Sequence, residues 1–324
     1  MAGMDIVTAS VVLPDFFSLD VRSIYGRLAR LAFFEAPQWR DELVETLRSL
    51  EMMPEAYGAT QFSQETIKFH VGEQRVGVDV DVSANNQVLG ADRSIRTFRH
   101  GYEPEIHCAI DILTKPDATI VDVGSNWGPI TFQAALRPGF VGKIVCFEPQ
   151  ASALAMLEKA VGEIGLQARI FCHNLALSDS AGEATLSRHF WSGNRMVTKD
   201  GGGEKCRMDR LDRVLHNDPD IIKIDVEGYE SRVLAGAAET LRRCRPLIIF
   251  EDFVGCEASH YAQLGKLGYS FYALGWYQPF TDLFSFSPPL CGDIQVLAFK
   301  PFKLSERAEF AERINVLASA KPLG

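Results

Sequence analysis

Thr119–Phe132 reads TIVDVGSNWGPITF. Thr119–Val123 is a short β-branched apolar run, the pattern of a buried strand. Gly124–Gly128 then interrupts it with two glycines four residues apart around Asn126. Pro129 stands where a helix would begin, a position at which its missing N–H costs nothing, and Ile130, Ala134 and Leu136 start an apolar helical stripe. The stretch is therefore a strand, a tight glycine turn and a helix. Such a turn lets a ligand approach the backbone closely, and the helix N-terminus offers unpaired N–H groups to it. Asp122, at the end of the strand, can accept hydrogen bonds from a cationic or hydroxyl-bearing ligand.

The order D-x-G-x-N-x-G differs from the G-x-G-x-x-G of dinucleotide folds and favours S-adenosylmethionine over NAD. A purely structural glycine turn, common in α/β proteins, is the competing reading. Glu148 weighs against it: it follows a second apolar run, Lys143–Phe147, where a carboxylate can hold both hydroxyls of a ribose.

Composition bounds the rest. The 324 residues are 47% hydrophobic and 23% charged, an ordinary globular balance that allows one large core with an accessory segment, or two modest domains. A net charge of −9 disfavours a nucleic-acid backbone as partner. No apolar run reaches membrane-spanning length and the N-terminus lacks the pattern of a signal peptide, so no membrane partner and a cytoplasmic location are expected. The seven cysteines are odd in number and without C-x-x-C spacing, which points to reduced thiols rather than disulfides or a zinc site.

Residues 1–97 are expected to form an accessory segment. Val21, Ile24, Tyr25, Leu28, Leu31 and Ala32 share one helical face and Leu43, Leu47 and Leu50 another, a helical arm that could support a homodimer. Residues 66–90 alternate as a hairpin. A helix is expected near 105–114, then strands at 119–123, 143–148, 168–173, 220–225, 246–251, 269–274 and 294–300. Helices near 130–137, 151–164, 230–242 and 257–267 alternate with them, which predicts a mostly parallel sheet covered on both faces. The 269–274 and 294–300 pair has no room for a crossover helix and should be antiparallel. Glu183–Arg188 and Lys205–Met208 read as a small hairpin around a glycine-rich loop. The catalytic domain is expected over 98–302 and a helical tail over 303–324.

The series VDVGSNWG (121–128), CFEP (146–149), Ala176–Asp179, RLD (210–212), IIKIDVEGYE (221–230), VLAGA (233–237) and RPLIIFE (245–251) resembles the FkbM-type methyltransferases over about residues 98–300. The resemblance implies a class I, Rossmann-like seven-stranded sheet with one antiparallel strand. It also implies S-adenosylmethionine as cofactor and, typically, O-methylation of a hydroxyl on a sugar or polyketide-like natural product. By resemblance and position together, Asp122, Gly124, Ser125, Asn126 and Gly128 face the methionine part of the cofactor, with Asp225 across from them. Glu148 and Pro149 lie at the ribose, Asn174 and Ala176 flank adenine, and Tyr102 and Glu103 close over the cofactor. Ser125 and Trp127 depart from the usual pattern, in which smaller residues are common, and Trp127 is expected to narrow the pocket or stack in it.

The sulfonium is already activated, so the protein's part is to align acceptor and methyl and to exclude water. A sugar hydroxyl further needs a base or a metal ion to weaken its proton. Asp225 ends the fourth strand and Glu251 and Asp252 the fifth, so these three are candidate ligands of Mg²⁺, with Asp225, Glu227 and Glu251 as candidate catalytic carboxylates. The alternative is that Asp225 and Glu227 cap the next helix and Glu251 forms a buried salt bridge. His173, with His107 and His189 nearby, is the other candidate base. The acceptor remains open between a small-molecule hydroxyl, an amine or protein side chain, and a non-catalytic binding module. An NAD oxidoreductase is disfavoured by the glycine spacing and a hydrolase by the lack of G-x-S-x-G.

Overall fold

The computed structural model describes residues 6–12, 65–71, 74–80, 103–137, 139–189, 193–197, 203–253, 259–278, 283–286, 294–311 and 313–323. Its strands are β1 (Val7–Val12), β2 (Glu65–Val71), β3 (Gln74–Val80), β4 (Thr119–Val123), β5 (Lys143–Phe147), β6 (Ile170–His173), β7 (Ala176–Leu177), β8 (Gly182–His189), β9 (Gly193–Val197) and β10 (Glu204–Asp209). They continue with β11 (Ile221–Ile224), β12 (Leu247–Phe253), β13 (Ser270–Gln278), β14 (Leu283–Ser285), β15 (Ile294–Phe302) and β16 (Arg313–Ser319). The helices are α1 (Pro104–Leu113), α2 (Pro129–Leu136), α3 (Ala151–Glu163), α4 (Leu211–Val214), α5 (Glu230–Gly236), α6 (Ala238–Cys244) and α7 (Ser259–Lys266).

The central sheet has the order β1-β15-β13-β16-β12-β11-β4-β5-β6, with β14 on β13. β6, β5, β4, β11 and β12 are mutually parallel. The apolar runs alternate their side chains between two layers, which is why they read as continuous rather than alternating. Ile120, Ile144, Ile221 and Ile249 pack with Ile110, Ile130 and Leu157 of α1, α2 and α3. Val121, Val145, Ile222 and Phe250 pack with Val233, Leu241 and Leu264 of α5, α6 and α7. The chain runs from β4 outward to β6 and later from β11 outward to β12, so the order reverses between β4 and β11. Ligands of open α/β sheets bind beyond the C-terminal ends of the strands at such a point.

The C-terminal segment overturns the expected helical tail. After a 3-10 turn at Leu304–Glu309, β16 enters the sheet antiparallel between β12 and β13. Ile314, Val316 and Ala318 face one layer and Leu317 the other; a strand buried on both faces has no period-two signature, and RINVLAS is equally compatible with a helix. β13 and β15 pair antiparallel as expected, but they are joined by β16, β14 and β1. Among the described residues the large sheet therefore has ten strands rather than seven, and β14, β15 and β16 run against the parallel set. Val7–Val12, expected within a helical arm, is a strand on β15. The apolar stripes of 21–32 and 43–50 lie outside the described residues. β2 and β3 form the expected hairpin. The second expected hairpin is part of a four-stranded sheet, β7-β10-β8-β9.

α6 starts without a capping side chain of its own. Asp212 of α4 substitutes, its two carboxylate oxygens accepting Glu239 N (2.9 Å) and Thr240 N (2.8 Å). Asp212→Ala should cost about 1 kcal/mol, read as a lowered denaturant midpoint with an unchanged slope. An unchanged midpoint would show that water satisfies the helix end equally well. Among the described residues no helix is long and apolar enough to cross a membrane.

Candidate active site

The glycine turn leaves β4 through three left-handed residues, Gly124 (φ 76°), Asn126 (φ 51°) and Gly128 (φ 96°). Gly124 N and Ser125 N donate to Phe147 O (2.9 and 3.3 Å), which ties the turn to β5, and Gly128 N donates to Ser125 O (2.9 Å). A Cβ on Gly124 would stand 1.9 Å from the carbonyl oxygen of Asp225, and one on Gly128 2.6 Å from Leu157 Cδ1. The first glycine thus permits the close approach of β4 and β11, the second the seating of the turn on α3. Ser125 is buried and its hydroxyl has no hydrogen-bond partner among the described residues. Trp127 is fully buried in the core layer of α1, α2 and α3. It packs the turn against that layer.

Glu148 is fixed between this turn and α3. Its Oε2 accepts Asn126 N (2.9 Å) and its Oε1 accepts Gln150 N (2.8 Å), and each oxygen keeps a lone pair for a hydroxyl donor. Asn174 Nδ2 donates to Glu148 O and Pro149 O, both at 3.0 Å, so the candidate ribose and adenine residues form one braced unit. Ala176 is buried in β7, opposite Met208, and presents backbone rather than side chain.

Burial pushes the Glu148 carboxyl from 4.5 up to about 7, against the pull of its two backbone donors. The folded protein then keeps a proton that the unfolded chain has released. This contribution to stability is full below pH 4.5 and drains as pH rises toward 7. Glu148→Gln should flatten the fall of unfolding free energy across that window by on the order of 2 kcal/mol. An unaltered pH slope in denaturant titrations would assign the proton to another group.

Asp122 is buried and engaged within the protein. In the pleat it points away from Val121 and Val123, and its register partner on β11 is Lys223. Thr131 Oγ1 donates to Asp122 Oδ2 (2.6 Å), and Lys223 Nζ lies 3.5 Å from Asp122 Oδ1, 3.3 Å from Asp225 Oδ2 and 3.5 Å from Gly124 O. Burial opposes the lysine's charge, but Asp225 and Asp122 outweigh it and hold the ammonium above its ordinary range. Lys223 was missed in the sequence. The signal was there: one charge inside the buried run IIKI must have a buried partner.

At the ends of β11 and β12, one carboxylate oxygen each of Asp225, Glu227 and Glu251 lies within 4.8 Å of the others. The expected Mg²⁺ set of Asp225, Glu251 and Asp252 does not form. Consecutive strand residues face opposite layers, and Asp252 points the other way, receiving hydrogen bonds from Arg307 and Tyr261 (3.0 Å) with His260 Nε2 at 3.7 Å. Glu227 occupies the third position instead, and Glu251 is paired with Arg313 Nε. Glu230, not Asp225 or Glu227, accepts the turn's N–H from Gly228 (3.0 Å).

Glu103 joins this edge from the start of α1, held by Arg313 NH2 at 2.9 Å and pushed up to about 7, first by burial and then by Asp225. Arg313 was also missed, because its segment read as a helical tail. His173 is not brought to the carboxylates: it ends the outer strand β6, with β5 and β4 between it and β11. Its ring is stacked on Phe147 at 5.1 Å, and burial and His216 lower its pKa. Tyr102 and the side chain of His189 lie outside the described residues.

Residues 122–271 match the family model of the methyltransferase FkbM domain. The AMB antimetabolite synthetase AmbE of Pseudomonas aeruginosa is 25% identical over 219 residues, which is 53% of this chain and 10% of that protein. The chain thus spans about a tenth of the length of the curated relative it matches. Among solved structures, a methyltransferase FkbM from Methylobacillus flagellatus is 16% identical, with a TM-score of 0.39 over 57% of this chain and 44% of that one. A precorrin-6y C5,15-methyltransferase from Geobacter metallireducens is 13% identical, with a TM-score of 0.35 over 66% and 87%.

Proposed function

From the match of residues 122–271 to the methyltransferase FkbM domain, we propose an S-adenosylmethionine-dependent O-methyltransferase acting on a hydroxyl of a carbohydrate or natural-product acceptor. The observation that carries the reading is the braced unit of glycine turn and Glu148 at the point where the strand order reverses. The likeness to part of an antimetabolite synthetase supports a small-molecule acceptor, as does the net charge of −9, which repels nucleic acid. Free thiols at Cys108, Cys146, Cys172, Cys206 and Cys244 fit a reducing, cytoplasmic setting.

The residues present fit the cofactor. Glu148, with Pro149 beside it, has lone pairs directed by two backbone donors and would accept the ribose hydroxyls, while Asn174 would border the adenine side. Asp225, Glu227, Glu251 and Glu103 outnumber Lys223 and Arg313 at the strand ends, an excess of negative charge that suits a sulfonium and an ammonium. When bound, S-adenosylmethionine supplies a methyl group already activated for in-line displacement. The protein's work is then orientation, exclusion of water and removal of the acceptor's proton. On this reading Asp225 or Glu227, which lie together at the strand ends, takes that proton. Arg313 already neutralises Glu251, so no metal step is invoked.

Calorimetric titration with S-adenosylhomocysteine tests the cofactor half. Micromolar binding is expected, weakened about tenfold by Glu148→Gln through loss of one accepting oxygen. Methyl transfer from labelled cofactor into a panel of hydroxylated and amine acceptors, with and without chelator, tests the rest. Absence of binding would sink the methyltransferase reading, and transfer to amines alone would replace O- by N-methylation.

A further inference from the structure

We infer that Arg313, delivered by the C-terminal strand, is a positioning residue of the site: its one guanidinium spans Glu103 at the start of α1 and Glu251 at the end of β12 and orients both carboxylates. The inference rests on the methyltransferase reading and deepens it. β16 runs antiparallel to β12, so its first residue lies at the edge where the parallel strands end, with Arg313 opposite Phe253 in the register. NH2 donates to Glu103 Oε1 at 2.9 Å and Nε to Glu251 Oε1.

The two carboxylates are nearly buried, at 9% and 5% side-chain exposure, whereas Arg313 is 50% exposed. An exposed cation gains little from a surface pair, but buried carboxylates lose much without a counter-charge. The energetic consequence therefore falls on the acids.

Glu103 makes this readable. It is the N-cap residue of α1, in the left-handed region at φ 48°, yet its side chain caps no helix N–H, and its second oxygen is buried without a hydrogen-bond partner among the described residues. The charges facing it are Asp225 on the turn after β11 and Glu105 on α1, which favour its protonation, and Arg313 on β16 and Lys223 on β11, which oppose it. Glu105 is itself bonded by Asn315 Nδ2 at 2.9 Å. Lys223 is committed to Asp122 and Asp225, so Arg313 is the cation that pairs with Glu103 directly.

The test is calorimetric titration of the full chain with S-adenosylhomocysteine between pH 6 and 9, using the wild type, Arg313→Gln and Arg313→Lys, with thermal melts to confirm folding. The wild-type affinity should rise with pH through about 7. In Arg313→Gln the rise should move up by about one pH unit, a roughly fivefold weaker complex at pH 7 that recovers toward pH 9. Arg313→Lys should restore the midpoint, because it restores the charge, but not the full affinity, because a single ammonium nitrogen lacks the separate Nε and NH2 donors with which the planar guanidinium fixes the two carboxylates. A wild-type pH profile in Arg313→Gln, or a loss equal at every pH that lysine leaves unrepaired, would overturn the role while leaving the methyltransferase standing. A wild type that binds nothing at any pH would overturn both.

Discussion

Gly124→Ala should destabilise the protein by about 3–4 kcal/mol and abolish measurable binding of S-adenosylhomocysteine. Two costs combine. At φ 76° an alanine pays roughly 1 kcal/mol for the left-handed backbone. Its Cβ would also stand 1.9 Å from Asp225 O, and that oxygen belongs to a backbone fixed by Asp225 N donating to Val123 O at 3.0 Å. The clash is relieved only by parting β4 from β11, which displaces Asp225 and loosens Lys223. Gly139→Ala is the control: φ is 79° and nothing lies within 4 Å of the added methyl, so only the conformational cost remains. Denaturant midpoints of the two variants should differ by a factor of about three in free energy. Equal costs would show that conformation alone, and not the approach of two strands, requires the glycine.

Lys223→Met should cost about 3–5 kcal/mol, the magnitude of removing one partner from a buried charge set. Methionine fills the volume, so the loss isolates the ammonium. Asp122 is 1% exposed and would keep only the Thr131 hydroxyl, and Asp225 would lose its nearest cation. Adding Asp122→Asn to Lys223→Met should recover roughly 1–3 kcal/mol, because one of the stranded charges is removed. The double-mutant cycle, read by chemical denaturation, gives the coupling directly. If Lys223→Met costs under 1 kcal/mol, the lysine is not the counter-ion that holds the turn and β11 together.

Much of the site was legible because its logic is local. The glycines at 124 and 128, Pro129 at the helix start and Glu148 after the next strand each follow from what a strand-turn-helix unit needs, and the structure ties the turn to β5 and to Glu148 by hydrogen bonds. The errors came where the answer depends on a neighbour far away in sequence. Lys223 was missed as the counter-ion of Asp122, because only the register of β4 on β11 places the two side by side. Asp252 looked like a partner of Glu251 because it is adjacent, yet the pleat sends it to Arg307 and Tyr261. That second error was avoidable, since alternation along a strand is itself a sequence property.

The sequence by itself determined the alternation of strands and helices from Thr119 onward, the parallel half of the sheet and the glycine turn with its acidic partner, because periodicity and turn chemistry act within a few residues. Only the tertiary structure decided which charges are paired with which. β16 is buried on both faces and carries no period of its own, so its place between β12 and β13, and with it the arrival of Arg313 at Glu103 and Glu251, is fixed by the sheet edges that must be paired rather than by anything in RINVLAS.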